Sequence, residues 1–80
     1  MKVSILAFGI TKEILGGREV QFELSGEQTV ANLLQALEGQ YPKLQGLVSL
    51  KVAVNSEYAE PDWPITESDE VVLIPPVSGG

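Results

Sequence analysis

The residues best placed to do chemistry are Pro75-Pro76-Val77-Ser78-Gly79-Gly80, directly behind the apolar run Val71-Val72-Leu73-Ile74. Pro75 and Pro76 lack the N–H that a strand ladder needs and favour polyproline geometry, so pairing should stop there and the chain should project away. At up to roughly 3.3 Å per residue the segment reaches at most about 20 Å, enough to enter another protein's active site while the domain stays outside. Gly79 and Gly80 carry no side chains, so the last peptide can thread a narrow channel and the terminal carboxylate stays unshielded. A carboxylate is a poor electrophile. Conversion to an acyl-adenylate with ATP would activate it, and a sulfur donor would then leave a thiocarboxylate. The dipeptide alone fits a frayed terminus equally well, because small residues and disorder collect at chain ends.

The rest of the composition narrows the alternatives. The 80 residues include no His and no Cys, which removes thiolate nucleophiles, disulfides, cysteine metal sites and any side chain that titrates near neutrality unperturbed. Gly16-Gly17 lacks the Lys and Ser/Thr of a phosphate-binding loop, so the chain has no means of activating a carboxylate itself and a partner must do so. Five Lys plus Arg against eleven Asp plus Glu give a net charge of −6, which argues against nucleic acid and for a basic partner. Six of the acids, Glu57, Glu60, Asp62, Glu67, Asp69 and Glu70, fall within fourteen residues. Their Pro-interrupted spacing fits no calcium loop, so a solvated edge with some docking character is expected and a metal site is not. The apolar stretch after Met1-Lys2 is too short for a signal-peptide core and no run approaches a membrane span, so the cytoplasm is the expected location.

A 44% hydrophobic chain of this length should bury one modest core. Val3 to Phe8 reads as a buried strand beginning at the second residue and closed by Gly9. Ile10, Ile14 and Leu15 have one-face helical spacing before Gly16-Gly17, giving one or two helical turns. Val20, Phe22 and Leu24 alternate with Glu19, Gln21 and Glu23, the period of a strand with one wet face. After a turn at Ser25 to Gln28, Thr29 can cap a helix whose Val30, Leu33, Leu34 and Leu37 share one face, with Gly39 and Pro42 as its stop. Pro42 to Gly46 reads as loop and Val48 to Val54 as a third strand ending near Asn55. Tyr58 to Trp63 forms at most a short edge segment, and Glu70 to Ile74 reads as a central strand buried on both faces.

That order, an N-terminal hairpin crossing by a helix to later strands, is the β-grasp or ubiquitin-like arrangement: an α+β fold with a mixed sheet covered by one main helix. Residues 1–74 make the domain and residues 75–80 an extended, flexible C-terminal tail.

Ile74-Pro75-Pro76-Val77-Ser78-Gly79-Gly80, preceded by Ala53-Val54-Asn55, Pro64-Ile65-Thr66 and Asp69-Glu70-Val71, resembles the MoaD family, the small subunit of molybdopterin synthase. The likeness covers most of the chain, including Phe8-Gly9-Ile10 to Leu15-Gly16 and the leucine-rich helix after Thr29. The resemblance implies a ubiquitin-like sulfur carrier that is not an enzyme by itself. An adenylyltransferase similar to ubiquitin-activating enzymes would use ATP to adenylate Gly80, and a sulfur donor would convert it to the thiocarboxylate. The tail, Pro75 to Gly79, would then insert into the large subunit, within a heterotetramer, and pass sulfur to precursor Z, a cyclic pyranopterin monophosphate. No bound cofactor is implied. A sulfur carrier for thiamine thiazole synthesis and a ubiquitin-like protein modifier share the fold and the Gly-Gly end and stay open. Phe8 could belong to an outward apolar patch shown to a partner or to the core, and Trp63 could anchor an interface or cap the core edge.

Overall fold

The computed structural model describes residues 2–26, 28–47 and 50–75. Strand β1 (Lys2–Ala7) runs into helix α1 (Ile10–Leu15), and Gly16 closes that helix in the left-handed conformation. Strand β2 (Glu19–Glu23) returns antiparallel beside β1, with Val3 opposite Phe22 and Ile5 opposite Val20. A two-residue strand β3 (Gln28–Thr29) leads into α2 (Val30–Gln40), the crossover helix. After a 3-10 turn at Pro42–Gly46 come β4 (Lys51–Val54), β5 (Glu57–Tyr58), β6 (Pro64–Ile65) and β7 (Glu70–Ile74).

The main sheet has the order β2-β1-β7-β4-β5. The central pair β1 and β7 is parallel, with Ile5 opposite Val71 and Ala7 opposite Leu73, whereas β4 pairs antiparallel with both β7 and β5. This is the expected β-grasp. Alternation then sorts each strand's side chains: Val3, Ile5 and Ala7 from β1, Phe22 from β2, Val52 and Val54 from β4, and Val71 and Leu73 from β7 are all buried. Val30, Leu33 and Leu37 of α2 close the same core. The Thr29 hydroxyl accepts from the Asn32 N–H at 3.3 Å, as an N-cap should, and Trp63 and Pro61 carbonyls accept from the Val30 and Ala31 N–H groups at 2.9 Å.

Several expectations need correcting. Helix α2 continues through Gly39 to Gln40, because nothing crowds that position and half-buried Tyr41 holds the next turn, its N–H on the Leu37 carbonyl. The intrinsic cost of a helical Gly, about 1 kcal/mol, is small against that packing. The supposed loop from Pro42 to Gly46 is a 3-10 turn that buries Leu44. The third strand begins at Lys51, while Val48 and Ser49 lie outside the described residues. Strand β7 is central by hydrogen bonding but is not buried on both faces: Val71 and Leu73 are fully covered by the helix layer, and Val72 and Ile74, facing away from it, are half-buried. Gln28, read as turn, instead pairs in β3 with Ile65 of β6, a two-residue ladder too short to show periodicity.

At the far end of β7 from the tail, Asn55 and Ser56 adopt positive φ between β4 and β5, the conformation that a two-residue hairpin loop requires. The Asn55 side chain donates to Asp69 Oδ1 at 2.9 Å and accepts from the Glu70 N–H at 3.0 Å, while Asp69 Oδ2 accepts from the Thr66 N–H at 2.8 Å. This clasp fixes where β7 enters the sheet. Partial desolvation pushes the Asp69 carboxyl up, but the hydrogen bonds from Thr66 and Asn55 outweigh it and hold the group below its ordinary value of 3.8.

Replacing fully buried Leu37 by Ala should cost about 2–5 kcal/mol through the cavity left between α2 and the sheet, read as a lower thermal midpoint. Asp69 binds its proton more weakly in the folded than in the unfolded chain. Its contribution to stability is therefore complete above the unfolded carboxylate range and disappears as pH falls below about 4 through the folded value. Urea titrations from pH 6 to pH 2 should show the acid loss of stability flattened in Asp69→Asn.

Candidate functional site

Parallel strands end at the same edge of a sheet, so the end of β7 emerges beside the loop that follows β1. Ala7 and Leu73 are the last pair of that ladder; beyond them lie Phe8 and Gly9 on one side and Ile74 and Pro75 on the other. On the other flank of β7, Ile74 is still paired with Lys51 of β4. Pro75 is half-buried at the root of the expected tail. Pro76, Val77, Ser78, Gly79 and Gly80 lie outside the described residues.

Gly9 has φ +55° and ψ −130°, a region closed to residues with a Cβ, and a Cβ placed there would sit 3.5 Å from the Pro75 Cγ. The backbone therefore passes close to the Pro75 ring at a bend that only Gly makes without strain. The loop is held from below by Thr11, which is completely buried. Its hydroxyl accepts from the Phe8 N–H at 3.0 Å and donates to the Phe8 carbonyl at 2.6 Å.

The sheet face away from the helices forms a gradient. One cross-strand row, linked pair by pair, runs Glu19, Leu6, Val72, Ala53, Tyr58, apolar through its middle. The neighbouring row towards the clasp is polar, with Gln21, Ser4 and Glu70 in register and the Gln21 amide donating to the Ser4 hydroxyl at 2.9 Å. Towards the tail the next row sets Ile74 opposite exposed Lys51, and Phe8 and Ile10, just past the end of β1, are 48% and 43% exposed. Phe8 is thus a surface residue at the tail root and not a core one. Lys51 apart, the open face becomes more apolar as it approaches the place where the chain leaves.

The acidic segment behaves as a solvated edge. Glu57, Glu60, Asp62, Glu67 and Glu70 are exposed, Asp69 is used in the clasp, and among the described residues no three acidic side chains converge on a cation site. Trp63 is 36% exposed, and its backbone carbonyl caps α2 as described. A groove of about 350 Å³ between α2 and the β4–β5 edge is lined by Val30, Leu34, Leu50, Val52, Ala59 and Pro61. Its polar lining, Lys51, Tyr58 and Glu60, is exposed and forms no acid–base pair or nucleophile. No constellation able to activate a substrate occurs among the described residues. What the arrangement offers is a rigid domain with an apolar face beside the root of its C-terminal segment. Sequence reasoning missed Thr11 and Gly9 as parts of this root. The available signal was a Thr two residues after a Gly at the start of a short helix.

No helix among the described residues is long and apolar enough to cross a membrane. Residues 5–80 match the ThiS family. A molybdopterin synthase sulfur carrier subunit from Dictyostelium discoideum is 38% identical over 95% of this chain and 93% of its own. The small archaeal modifier protein 1 of Haloferax volcanii is 34% identical over 91% of this chain and 94% of its own. A crystal structure of that modifier superposes with a TM-score of 0.83, covering 100% of both chains at 30% identity.

Gly9→Ala should lower stability by about 1–3 kcal/mol from backbone strain alone, since the added methyl meets Pro75 at ordinary contact distance. Thermal melts of Gly9→Ala beside Gly16→Ala, a second positive-φ position but with open space around it, would check this. Equal melts of Gly9→Ala and wild type would contradict the strain.

Proposed function

The chain belongs to the ThiS family, and from that premise we propose that it is the sulfur carrier subunit of a molybdopterin synthase, with Gly80 as the reacting residue. The observation that carries this reading is the nearly full-length match to molybdopterin synthase sulfur carrier subunits. The fold supports it: no catalytic constellation occurs among the described residues, and the sheet delivers its last strand to an apolar face at the domain's edge.

The chemistry is then the carboxylate's. In the active site of a ubiquitin-activating-like adenylyltransferase, the Gly80 carboxylate oxygen attacks the α-phosphorus of ATP, and pyrophosphate leaves. Hydrosulfide attacks the carbonyl carbon of the acyl-adenylate, AMP departs with the C–O electron pair, and the remaining S–H proton goes to solvent. The product is a thiocarboxylate at Gly80. In the large synthase subunit, within a heterotetramer, that sulfur passes to precursor Z, and water restores the carboxylate. Two charged carriers are consumed for each dithiolene. The domain contributes docking through Leu6, Phe8, Ile10 and Val72, and reach through Pro75 to Gly79. It binds no cofactor itself and works in the cytoplasm, without nucleic acid or membrane as partner. The relationship to the small archaeal modifier protein favours a second reading, attachment of Gly80 to lysine side chains; a carrier for thiamine thiazole synthesis is the third.

Intact mass after incubation with the adenylyltransferase, ATP and sulfide separates these readings. Exchange of one oxygen for sulfur at Gly80, followed by sulfur transfer to precursor Z in the presence of the large subunit, is the expected result. Transfer to a thiazole precursor alone, or branched lysine peptides alone, would reassign the function. Deleting Gly80 withdraws the reacting carbon by up to about 3.5 Å and should cut transfer at least a hundredfold, with unchanged melting because the core lies elsewhere.

A further inference from the structure

We infer that Thr11 is a positioning residue that holds the Phe8–Gly9 bend against Pro75 and so fixes the point at which the reactive C-terminal segment leaves β7; this rests on the sulfur-carrier reading. With the Ala7 N–H turned to the Arg18 carbonyl, the Ala7–Leu73 step leaves the Phe8 N–H facing the Leu73 carbonyl as the last step of the ladder, and the Phe8 carbonyl would face the nitrogen of Pro75. Thr11 holds the same two Phe8 groups from the other side. The Thr11 hydroxyl accepts from the Phe8 N–H and donates to its carbonyl, and the Thr11 N–H donates to the same carbonyl at 3.1 Å. Thr11 is completely buried, and among the described residues its hydroxyl makes no hydrogen bonds but these two.

The ladder stops at this step because Pro75 has no N–H to give to the Phe8 carbonyl. Thr11 holds the Phe8 backbone, and Gly9 beside it, at positive φ, lies against the Pro75 ring. Valine would fill the same volume in this apolar setting without a hydroxyl to satisfy. What threonine adds is therefore specific to the Phe8 backbone, and its consequence falls on the tail root and not on the core.

The hydroxyl is tested with Thr11→Val, which keeps the shape and removes both bonds, and Thr11→Ser, which keeps the oxygen. Melting curves set an assay temperature at which all three proteins are fully folded. Wild type and Thr11→Ser should show a nuclear Overhauser contact between Gly9 Hα and the Pro75 ring, and Thr11→Val should lose it. With the adenylyltransferase, ATP and sulfide, thiocarboxylate formation followed by intact mass should show kcat reduced about tenfold in Thr11→Val, with KM nearly unchanged because the open face still docks; Thr11→Ser should stay close to wild type. Retention of the Gly9–Pro75 contact and of wild-type kcat in Thr11→Val would overturn the assignment, as would an equal loss in Thr11→Val and Thr11→Ser. If wild type itself forms no thiocarboxylate, the carrier reading fails, and the Overhauser contact still decides whether Thr11 orients the root.

Discussion

The parallel pairing of β1 with β7 is the constraint on which the rest of the structure depends. Parallel neighbours cannot be joined by a hairpin, so the chain between them must leave the sheet, cross it and return. Here that detour supplies everything else: the β2 return, the α2 crossover that covers one face, and the β4–β5 hairpin that flanks β7 on its far side. It also forces β1 and β7 to finish at one edge, from Ser4 opposite Glu70 to Ala7 opposite Leu73. A C-terminal segment leaving β7 must therefore pass the Phe8–Gly9 loop.

Covering only one face of the sheet divides the work of the side chains. On the helix face Val3, Ile5, Leu33, Leu37, Val71 and Leu73 are almost completely removed from water, each worth roughly 1–3 kcal/mol, and stability resides there. On the open face Leu6, Val72 and Ile74 are half-buried, close to the tail root, while Ser4, Gln21 and Glu70 occupy the other end. A partner can cover the apolar end without touching the core. The acidic edge from Glu57 to Glu70 adds a negative field suited to basic partners, and its charges are solvated, so they steer encounters more than they hold complexes.

Much of this was legible because the long elements carry clean periods. The alternation of Val20, Phe22 and Leu24 and the one-sided spacing of Val30, Leu33 and Leu37 identify β2 and α2, and Gly16 marks the stop of α1 that the structure shows. The end-of-chain site is an expectation of a different kind, drawn from a chain without His or Cys having few other places for chemistry, and of its residues only Pro75 lies within the described ones. What escaped notice was set by tertiary context. Gly39 stays helical because Tyr41 is anchored beyond it, β3 and β6 are too short for any period, and the apolar run of β7 conceals that Val72 and Ile74 are only half-buried. Thr11 escaped because a buried hydroxyl satisfied by one backbone loop looks, in sequence, like any helix-surface threonine.

A carrier whose reacting group is a terminal carboxylate faces two opposed requirements. The strand that bears the tail must be central, or the domain would not hold it against the pull of a partner, yet a central strand tends to recruit its continuation into the ladder. Stopping the pairing abruptly resolves the conflict. The Lys51–Ile74 pair keeps β7 in the sheet up to its last residue, Pro75 removes the next donor, and Thr11 holds the Phe8 backbone that would have accepted from it. The ladder therefore ends within a single residue step, at Pro75. On the proposed reading a catalytic side chain near that step would gain nothing, since activation, sulfur donation and acceptance would occur in different partners. On this logic an acidic domain of 80 residues with no His or Cys is suited to the task because it supplies reach and recognition and leaves the chemistry to others.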